Sequence, residues 1–519
     1  MRNFAALRML VIFSITVPLA IYIGYLLSNP FNMRGDGIII ALVGLLVSPL
    51  LLKDHYVLPF IFWNATMNFW FLPGSPPFWL LASVLSVGLL FLSGSLHRRN
   101  DLISVPSIAA PLIFLFVVVA LTAGMRGGFG SEAFGSEQIG GKNYLVLFGA
   151  VVGFFALSSH QIPLARAKWY VAVFFLASLT VALSDLILAM GPSFYFLYSF
   201  VSPDVATYQA ESETGFGAQI VRLAGVSVAC CGVCHYLLAR YGIRGMLSFR
   251  RWWAALLFFT FFTLALLGGF RTTFVTLTLL IAFQFIFEKL LRTPLFPATL
   301  LALVLFAACF LPFLDKMPLS IQRSLSFLPI QIDPATQLDA EATRDWRLDM
   351  WKTVLPDVPK YLLLGKGFLF NETDMRLTVE AQKRGYASNY QSSIINGQYH
   401  SGPLTTLISF GIWGAIGFLW FSWASIRYLY RKKERGHPAL RTVNTFLLSM
   451  FCSSLLFFLT IYGQFNLDLF WFTGIIGFSI ALNRGAENPK LSPQPARNRV
   501  EAPPTETRPA SAPIAVQPA

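Results

Sequence analysis

The sequence predicts an all-α polytopic membrane protein with one large loop on the outer side, and three observations lead to this fold class. First, 55% of the 519 residues are hydrophobic and only 12% are charged, against about 25% charged residues in an average soluble domain. Second, apolar runs of about 20 residues, the length that crosses a bilayer as a helix, recur along the chain. Third, 50 phenylalanines and 12 tryptophans fit a lipid-facing surface with aromatic belts at its edges. No water-soluble fold of this length hides so much apolar surface.

Fourteen apolar runs are candidate membrane spans, numbered here from one to fourteen. The third is the least regular, because Asn64 and Asn68 interrupt it. If it re-enters the membrane instead of crossing it, the count falls, so we expect about 12–14 transmembrane helices. The runs are 8–27, 37–52, 56–72, 78–96, 103–122, 143–159, 169–190, 219–238, 253–269, 272–288, 295–313, 402–426, 442–461 and 467–483.

The positive charge is distributed as membrane orientation requires. The net charge is +14, but the basic residues lie in short clusters between apolar runs, which argues against nucleic-acid binding. With the N-terminus inside, the short outer segments hold only Arg34, Arg126, Lys142, Arg222 and Arg271. Because short cytoplasmic loops carry an excess of Lys and Arg, we expect both termini in the cytoplasm.

The spans divide the chain into four parts. We expect an N-terminal transmembrane bundle of about eleven spans (1–313), a large periplasmic loop domain (314–400), C-terminal transmembrane helices (401–484) and a disordered cytoplasmic tail (485–519). The loop carries ten basic and ten acidic residues, so it is not a polybasic arm. Within it, Thr343 to Leu355 has helical character and stops before Pro356. Arg344, Arg347 and Trp351 would share one face of that helix.

Few polar groups are available for chemistry at the outer face. Several arginines near one leaflet suit a lipid diphosphate, because guanidinium stays charged and grips phosphate bidentately. No Asp-x-Asp pair occurs in the outer loops, so we expect no metal and no cofactor. A nearby histidine has a suitable pKa to accept a proton from a sugar hydroxyl. The polar residues that our topology places there are Arg222, Arg271, Arg344, Arg347, His400, Asp185 and Asp468.

Structural roles compete with these functional ones. Arg222 and Arg271 also fit interface arginines that reach to the headgroups. The two loop arginines also fit ion pairs with Asp345 or Asp349 on the loop surface. A lone histidine at a helix start, such as His400, is often structural.

The segment that begins at His400 matches a known signature. His400 and Ser401 are followed by nine residues, then Gly411, two residues and Gly414. This resembles the motif of bacterial O-antigen ligases: His, then Asn, Ser or Gln, then nine residues, Gly, two residues and Gly.

Weaker motifs of the same superfamily occur upstream in the expected order. Arg347-Leu-Asp-Met-Trp351 followed by Gly365-Lys-Gly367 resembles its arginine, tryptophan and glycine run. Arg271 stands where the family often has a Ser-Arg pair, but Phe270 replaces the serine. Arg222 resembles the arginine after the preceding outer loop, although the usual Pro-Asn that follows is missing. Recognisable motifs cover about residues 215–425.

The resemblance to the O-antigen ligase and O-antigen polymerase superfamily (Wzy-C type) implies a function. It implies metal-independent transfer of a glycan from undecaprenyl diphosphate to an acceptor saccharide or lipid A core. The reaction would take place at the periplasmic face of the bacterial inner membrane, with the lipid bilayer and no nucleic acid as further partner. The residues implied are His400 as catalytic base, Arg222, Arg271 and Arg347 as diphosphate ligands, and Arg344, Trp351 and Ser401 as further substrate-binding residues.

Three other functions stay open at this point. The first is an O-antigen or exopolysaccharide polymerase of the same superfamily, which shares the donor and differs in the acceptor. The second is a polysaccharide transporter or flippase without covalent chemistry, which would show matching halves and polar residues near the membrane midplane. The third is a non-catalytic subunit of a polysaccharide assembly machine.

Overall fold

A computed structural model of the chain describes Gly24 and residues 55–68, 76–97, 103–130, 138–203, 220–328 and 331–487. These residues are mostly helical with very few strand residues, which confirms the all-α polytopic membrane class. Within this described part of the chain, eight helical stretches are long and apolar enough to cross a membrane: Pro106–Met125, Gly141–Ser159, Leu164–Met190, Ala224–Met246, Phe249–Gly268, Gly402–Arg435, Pro438–Thr460 and Phe465–Glu487.

The described α-helices are numbered here in chain order. They are α1 (Leu58–Phe62), α2 (Phe78–His97), α3 (Pro106–Met125), α4 (Gly141–Ser159), α5 (Ala167–Leu176), α6 (Ala182–Met190), α7 (Ala224–Met246), α8 (Trp252–Ala265), α9 (Arg271–Phe287), α10 (Leu295–Phe310), α11 (Leu319–Ser324), α12 (Pro334–Val354), α13 (Val358–Tyr361), α14 (Glu372–Lys383), α15 (Gln391–Ile395), α16 (Gly402–Arg435), α17 (Arg441–Thr460) and α18 (Phe465–Glu487). Short 3-10 helices are Leu164–Arg166, Ala177–Val181, Pro192–Ser199, Phe249–Arg251, Leu266–Gly268, Leu311–Lys316, Leu355–Asp357 and Pro438–Leu440. Two short antiparallel strands, β1 (Gln138–Ile139) and β2 (Phe370–Asn371), pair with each other.

Helices stand at the positions of predicted spans four to fourteen. Predicted spans 8–27 and 37–52 lie outside the described residues except for Gly24, which is helical, and so does the tail from residue 488 onward. α18 continues to Glu487, three residues into the segment predicted as the tail. The third span, 56–72, is not one continuous helix in its described part. It contains only the five-residue α1, after which Asn64 Nδ2 donates to Phe174 O at 2.7 Å.

Aromatic packing and close helix contacts form the core of the bundle. α4 and α18 approach closely because Gly477 lies against Leu157. The rings of Phe174 and Phe478 stack at 4.4 Å between centroids. Small side chains at such contacts let helix backbones come near each other in lipid, where packing drives association. Large apolar side chains on the outer surface are exposed, as a lipid-facing surface requires: Phe91, Leu301, Trp252 and Trp423.

The long helix α16 is broken at Gly411, where the backbone has φ 65° and ψ −162°. Its first part lies across the ends of α17 and α18: Gly402 packs against Phe458, and Thr405 Oγ1 donates to Gly463 O at 3.4 Å. The break frees backbone groups that a regular helix would pair, and a buried unpaired group is costly in lipid.

The segment before α16, residues 314–400 (the loop segment), satisfies those freed groups. Lys366 N–H donates to Ile408 O at 2.6 Å, and Gly367 N–H donates to Ser409 O at 3.0 Å. In return, Ile412 N–H donates to Leu362 O at 2.6 Å. The glycine run and the glycines of the histidine motif therefore meet backbone to backbone.

Further contacts attach the loop segment to the ends of α3 and α4. Arg126 Nε donates to Gly365 O at 2.8 Å, and Phe368 N–H donates to the Tyr144 hydroxyl at 2.9 Å. The β1–β2 pair lies between the same parts of the chain. The loop segment is thus held at one end of the helix bundle.

Gly411→Ala is expected to lower the stability of the folded protein. These backbone angles are adopted almost only by glycine, and any other residue with them lowers the stability of the folded protein by about 1–3 kcal/mol. A Cβ atom at Gly411 would also lie 2.6 Å from Leu362 O. The measurement is the fraction of detergent-solubilised protein that stays monodisperse after heating. Gly124→Ala in α3 is the control, since nothing lies within 4 Å of its Cβ position. If both variants lose monodispersity at the same midpoint temperature, this account of the break is contradicted.

Candidate functional site

The helix α12 is the element that carries the candidate site. We predicted a helix from Thr343 to Leu355, and the structure extends it back to Pro334. Asp333 caps its start by accepting from Thr336 N–H at 2.9 Å, and proline is favoured at the first helical position. Its end at Val354, just before a 3-10 turn that contains Pro356, agrees with the prediction.

Near the C-terminal end of α12, an aromatic and basic group surrounds His400. The imidazole ring lies 5.2 Å from the Trp346 ring and 5.3 Å from the Tyr462 ring, measured between centroids. The guanidinium carbon of Arg347 lies 5.4 Å from the centre of the Tyr462 ring. Such a cation–π contact is stronger away from water. The structure therefore brings two of the predicted site residues, Arg347 and His400, to one tyrosine.

Backbone geometry and a tryptophan fix the position of His400. Its φ is +51°, a left-handed conformation that few residues other than glycine adopt. The Trp351 indole N–H donates to Tyr399 O at 2.8 Å and so holds the preceding residue. Ser401 O accepts from Thr405 N–H at 2.9 Å at the start of α16. In this structure Trp351 and Ser401 thus make contacts that place the histidine.

A group of arginines contacts α12 about two turns N-terminal to Arg347. Asp339 accepts from Arg222 Nη2 at 3.3 Å and also from Nε of Arg323. Arg271 Nη2 donates to Ala340 O at 2.8 Å. The helix therefore receives arginines from three separate parts of the chain.

The turn between α8 and α9 aligns these arginines. Leu223 N–H donates to Leu267 O at 3.2 Å, which places Arg222 beside the turn. Gly269 has a left-handed backbone, and its Cα faces the aliphatic stem of Arg222. Arg271 follows as the first residue of α9.

The two groups act on each other electrostatically. Arg271 interacts with the charges of Arg323 and Arg347 as well as with that of Asp339. Arg323 also acts on Arg347. The carboxylate of Asp339 therefore interacts with three guanidinium groups, those of Arg222, Arg271 and Arg323. Among the residues that the structure describes, neither Arg271 nor Arg347 forms an ion pair. The site carries a surplus of positive charge.

Three buried polar atoms of this site have no hydrogen-bond partner within the described part of the chain: Arg222 Nε, Arg347 Nε and His400 Nδ1. A buried polar group without a partner costs about 1–3 kcal/mol, and more when it is charged. All three belong to residues that the sequence singled out. Their arrangement fits a site that is completed by an anionic, oxygen-rich ligand.

The surroundings keep His400 neutral and the arginines charged. Burial, and secondarily the positive charge of Arg347, lower the pKa of His400 to about 4. Burial lowers the pKa of Arg222 to about 10, with a further contribution from Arg323 that Asp339 opposes. Burial and the charge of Arg323 lower the pKa of Arg347, while Tyr462 raises it. At neutral pH the site thus offers a proton acceptor next to fixed cations.

Other polar residues named from the sequence have partners within the protein. Arg344 is exposed over 61% of its side chain and pairs with Asp345 at 3.0 Å, which is the structural role considered above for this arginine. Asp185 Oδ2 accepts from Val226 N–H at 2.8 Å at the start of α7, and Asp468 Oδ2 accepts from Gln464 N–H at 2.7 Å. Both carboxylates therefore cap helix starts.

The sequence did not identify four residues of the site. Arg323 lies in α11 and Asp339 precedes the arginine motif by two turns of α12, with no motif of their own. Trp346 is adjacent to Arg347, and this adjacency was its only signal. Tyr462 lies in the short turn between α17 and α18. Among the residues described, no group of three or more His, Cys, Asp or Glu side chains is placed to hold a metal ion.

We expect the protonation midpoint of His400 to lie well below the ordinary histidine value, at about 4. Replacing the guanidinium in Arg347→Gln removes a charge that opposes the imidazolium, so the midpoint should rise. The measurement is a nuclear magnetic resonance titration of histidine-labelled protein, assigned by the signal lost in His400→Gln. Arg376→Gln, an exposed arginine on α14, is the control. A midpoint near 6.5 in all variants would contradict the geometry.

A comparison with protein families places this site in a known group. Residues 254–419 match the family model described as O-Antigen ligase (Wzy_C). The match runs from α8 into α16 and includes Arg271, Arg347 and His400. No curated protein matches the chain in sequence. This part of the chain therefore resembles O-antigen ligases, and the match supports a membrane glycosyltransferase of the O-antigen ligase or polymerase type.

Proposed function

We propose that the protein transfers a glycan from undecaprenyl diphosphate to a hydroxyl group of an acceptor sugar, without a metal ion. The observation that carries the proposal is the set of unpartnered atoms on Arg222, Arg347 and His400 around one helix. A diphosphate supplies the negative charge and acceptor oxygens that the two guanidinium groups lack. The family match supports the same class of reaction.

In this mechanism Arg222, Arg271 and Arg347 bind the diphosphate of the donor lipid. The bond between the anomeric carbon and the diphosphate oxygen breaks, and its electron pair leaves with the lipid diphosphate. Preorganised guanidinium groups stabilise that developing charge and need no reorganisation during the reaction. The positive surplus around α12 suits this task, because a single carboxylate, Asp339, offsets only part of it.

His400 is the general base of the proposed step. Its neutral imidazole takes the proton of the acceptor hydroxyl as that oxygen bonds to the anomeric carbon. A single displacement of this kind inverts the configuration at the carbon. A pKa of about 4 makes His400 a weak base. The negative charge of a bound diphosphate would offset the contribution of Arg347 and so raise that pKa.

The acceptor is proposed to approach along the aromatic side of His400. Trp346 and Tyr462 flank the imidazole, and aromatic faces pack against the apolar faces of sugar rings. The loop segment would cover the site and shape this pocket. We further propose that this face is periplasmic in a bacterial inner membrane, with both termini in the cytoplasm.

Loss of transfer is expected when the base or a phosphate ligand is removed. His400→Gln should reduce transfer by about 10²–10⁴-fold, as for a positioned general base. Arg347→Gln should reduce it by about 10²–10³-fold, as for one donor to a developing anion. The measurement is glycan transfer in membranes at equal protein levels. His437→Gln, a partly exposed histidine before α17, is the control. Unchanged transfer in both site variants would favour a transporter or a structural subunit.

The acceptor decides between ligase and polymerase, and we expect a ligase because the histidine motif is of the ligase type. In a host that lacks its own ligase, wild-type protein should restore long glycan chains on the lipid A core, and His400→Gln should leave them on the lipid carrier. The measurement is gel analysis of surface polysaccharide. If the protein instead restores chain length in a host that lacks its polymerase, the acceptor is a lipid-linked glycan.

A further inference from the structure

Arg323 differs from the other arginines of the site because all of its nitrogen atoms bind the protein itself. Its side chain is only 5% exposed. Nη1 donates to Gly269 O at 2.5 Å, Nη2 donates to Thr343 Oγ1 at 3.1 Å, and Nε pairs with Asp339. Arg222 and Arg347, in contrast, each keep a buried Nε without a partner in the described chain.

The contacts of Arg323 join the elements that place the three proposed diphosphate ligands. Gly269 belongs to the turn that leads into Arg271, and Asp339 is also the partner of Arg222. Thr343 lies one turn before Arg347 on α12 and accepts from Arg323 while its own hydroxyl donates to Asp339 O at 2.8 Å. One side chain therefore connects the turn, α11 and α12.

The guanidinium group is needed for this task. It presents a rigid planar fork of donors, so three acceptors in different directions are met at once. A lysine would keep the charge but would lack the fixed fork. Burying a cation here is compensated by Asp339 and by the two neutral acceptors, as a buried charge requires.

We propose that Arg323 is a positioning residue that sets the spacing of Arg222, Arg271 and Arg347 for a diphosphate and does not itself touch the substrate. This inference rests on the proposed function, in that a diphosphate is the ligand of the three arginines. Misplacement by about 1 Å in a site of this kind can cost on the order of 10²-fold. Loss of Arg323 should therefore act on diphosphate binding through the other arginines.

The test is a double-mutant cycle on the full chain in lipid nanodiscs, with farnesyl diphosphate as the probe of binding. Arg323→Lys is expected to weaken binding by about tenfold or more, although the charge is kept. Arg323→Gln should weaken binding strongly in the wild-type background and by a smaller factor in Arg222→Gln, because part of its effect acts through Arg222 and coupled residues are not additive. Arg376→Gln is the control and should bind as wild type does. The inference would be overturned if the affinity losses of the two single variants simply multiply in the double variant. It would also be overturned if Arg323→Lys binds as tightly as wild type does.

Two further measurements separate a positioning role from folding and from the proposed function. Thr343→Val removes one acceptor and leaves the ion pair. It should weaken binding by a factor of about two to five while the protein stays folded at the assay temperature, even if Arg323→Gln fails to fold. In transfer assays, Arg323→Lys should raise KM for the donor more than it lowers kcat. If the wild-type protein binds the diphosphate but transfers no glycan, the proposed function is refuted, and the double-mutant cycle alone decides this inference. No diphosphate binding by wild type would refute the inference.

Discussion

The break in α16 at Gly411 is the constraint on which the arrangement of the site depends. A helix that continued straight would pair its own backbone and leave nothing for the loop segment to bind. Because the helix turns, Ile408 O and Ser409 O accept from Lys366 and Gly367, and Leu362 O accepts from Ile412. These bonds hold the loop segment at the bundle end, and the first part of α16 holds His400 beside Tyr462. The glycines of the family motifs are thus explained by backbone geometry, while the histidine and arginines remain available for chemistry.

The second organising feature is an excess of buried positive charge. Collecting Arg222, Arg271, Arg323 and Arg347 in one place costs free energy through desolvation and mutual repulsion, and Asp339 returns only part of it. Such an arrangement is disfavoured for stability alone, because apolar side chains of similar volume would pack at lower cost. It becomes favourable when an anion binds. The electrostatics are therefore consistent with the proposed diphosphate ligand.

Hydropathy and motif spacing predicted much of this structure. Spans four to fourteen followed from apolar runs, and the end of α12 followed from Pro356. The start of α12 was predicted nine residues too late, although Asp333-Pro334 is a cap followed by proline at the first helical position. What the sequence could not supply was tertiary contact. Arg323 in the short helix α11 and Tyr462 in a short turn belong to no motif, and only the folded chain brings them to the arginines and to His400. The interrupted third span was signalled by Asn64, whose amide bonds to Phe174 O on a neighbouring helix.

The placement of Arg347 links donor binding to acceptor activation in the proposed mechanism. The same guanidinium lies over Tyr462 and adds to the effect of burial in lowering the pKa of His400. In the proposed mechanism, a diphosphate that pairs with Arg347 would oppose this part of the shift by its negative charge. His400 would then be more basic when the leaving group is in place, so that the arginine between the two substrates would favour deprotonation of the acceptor in the complex in which transfer is possible.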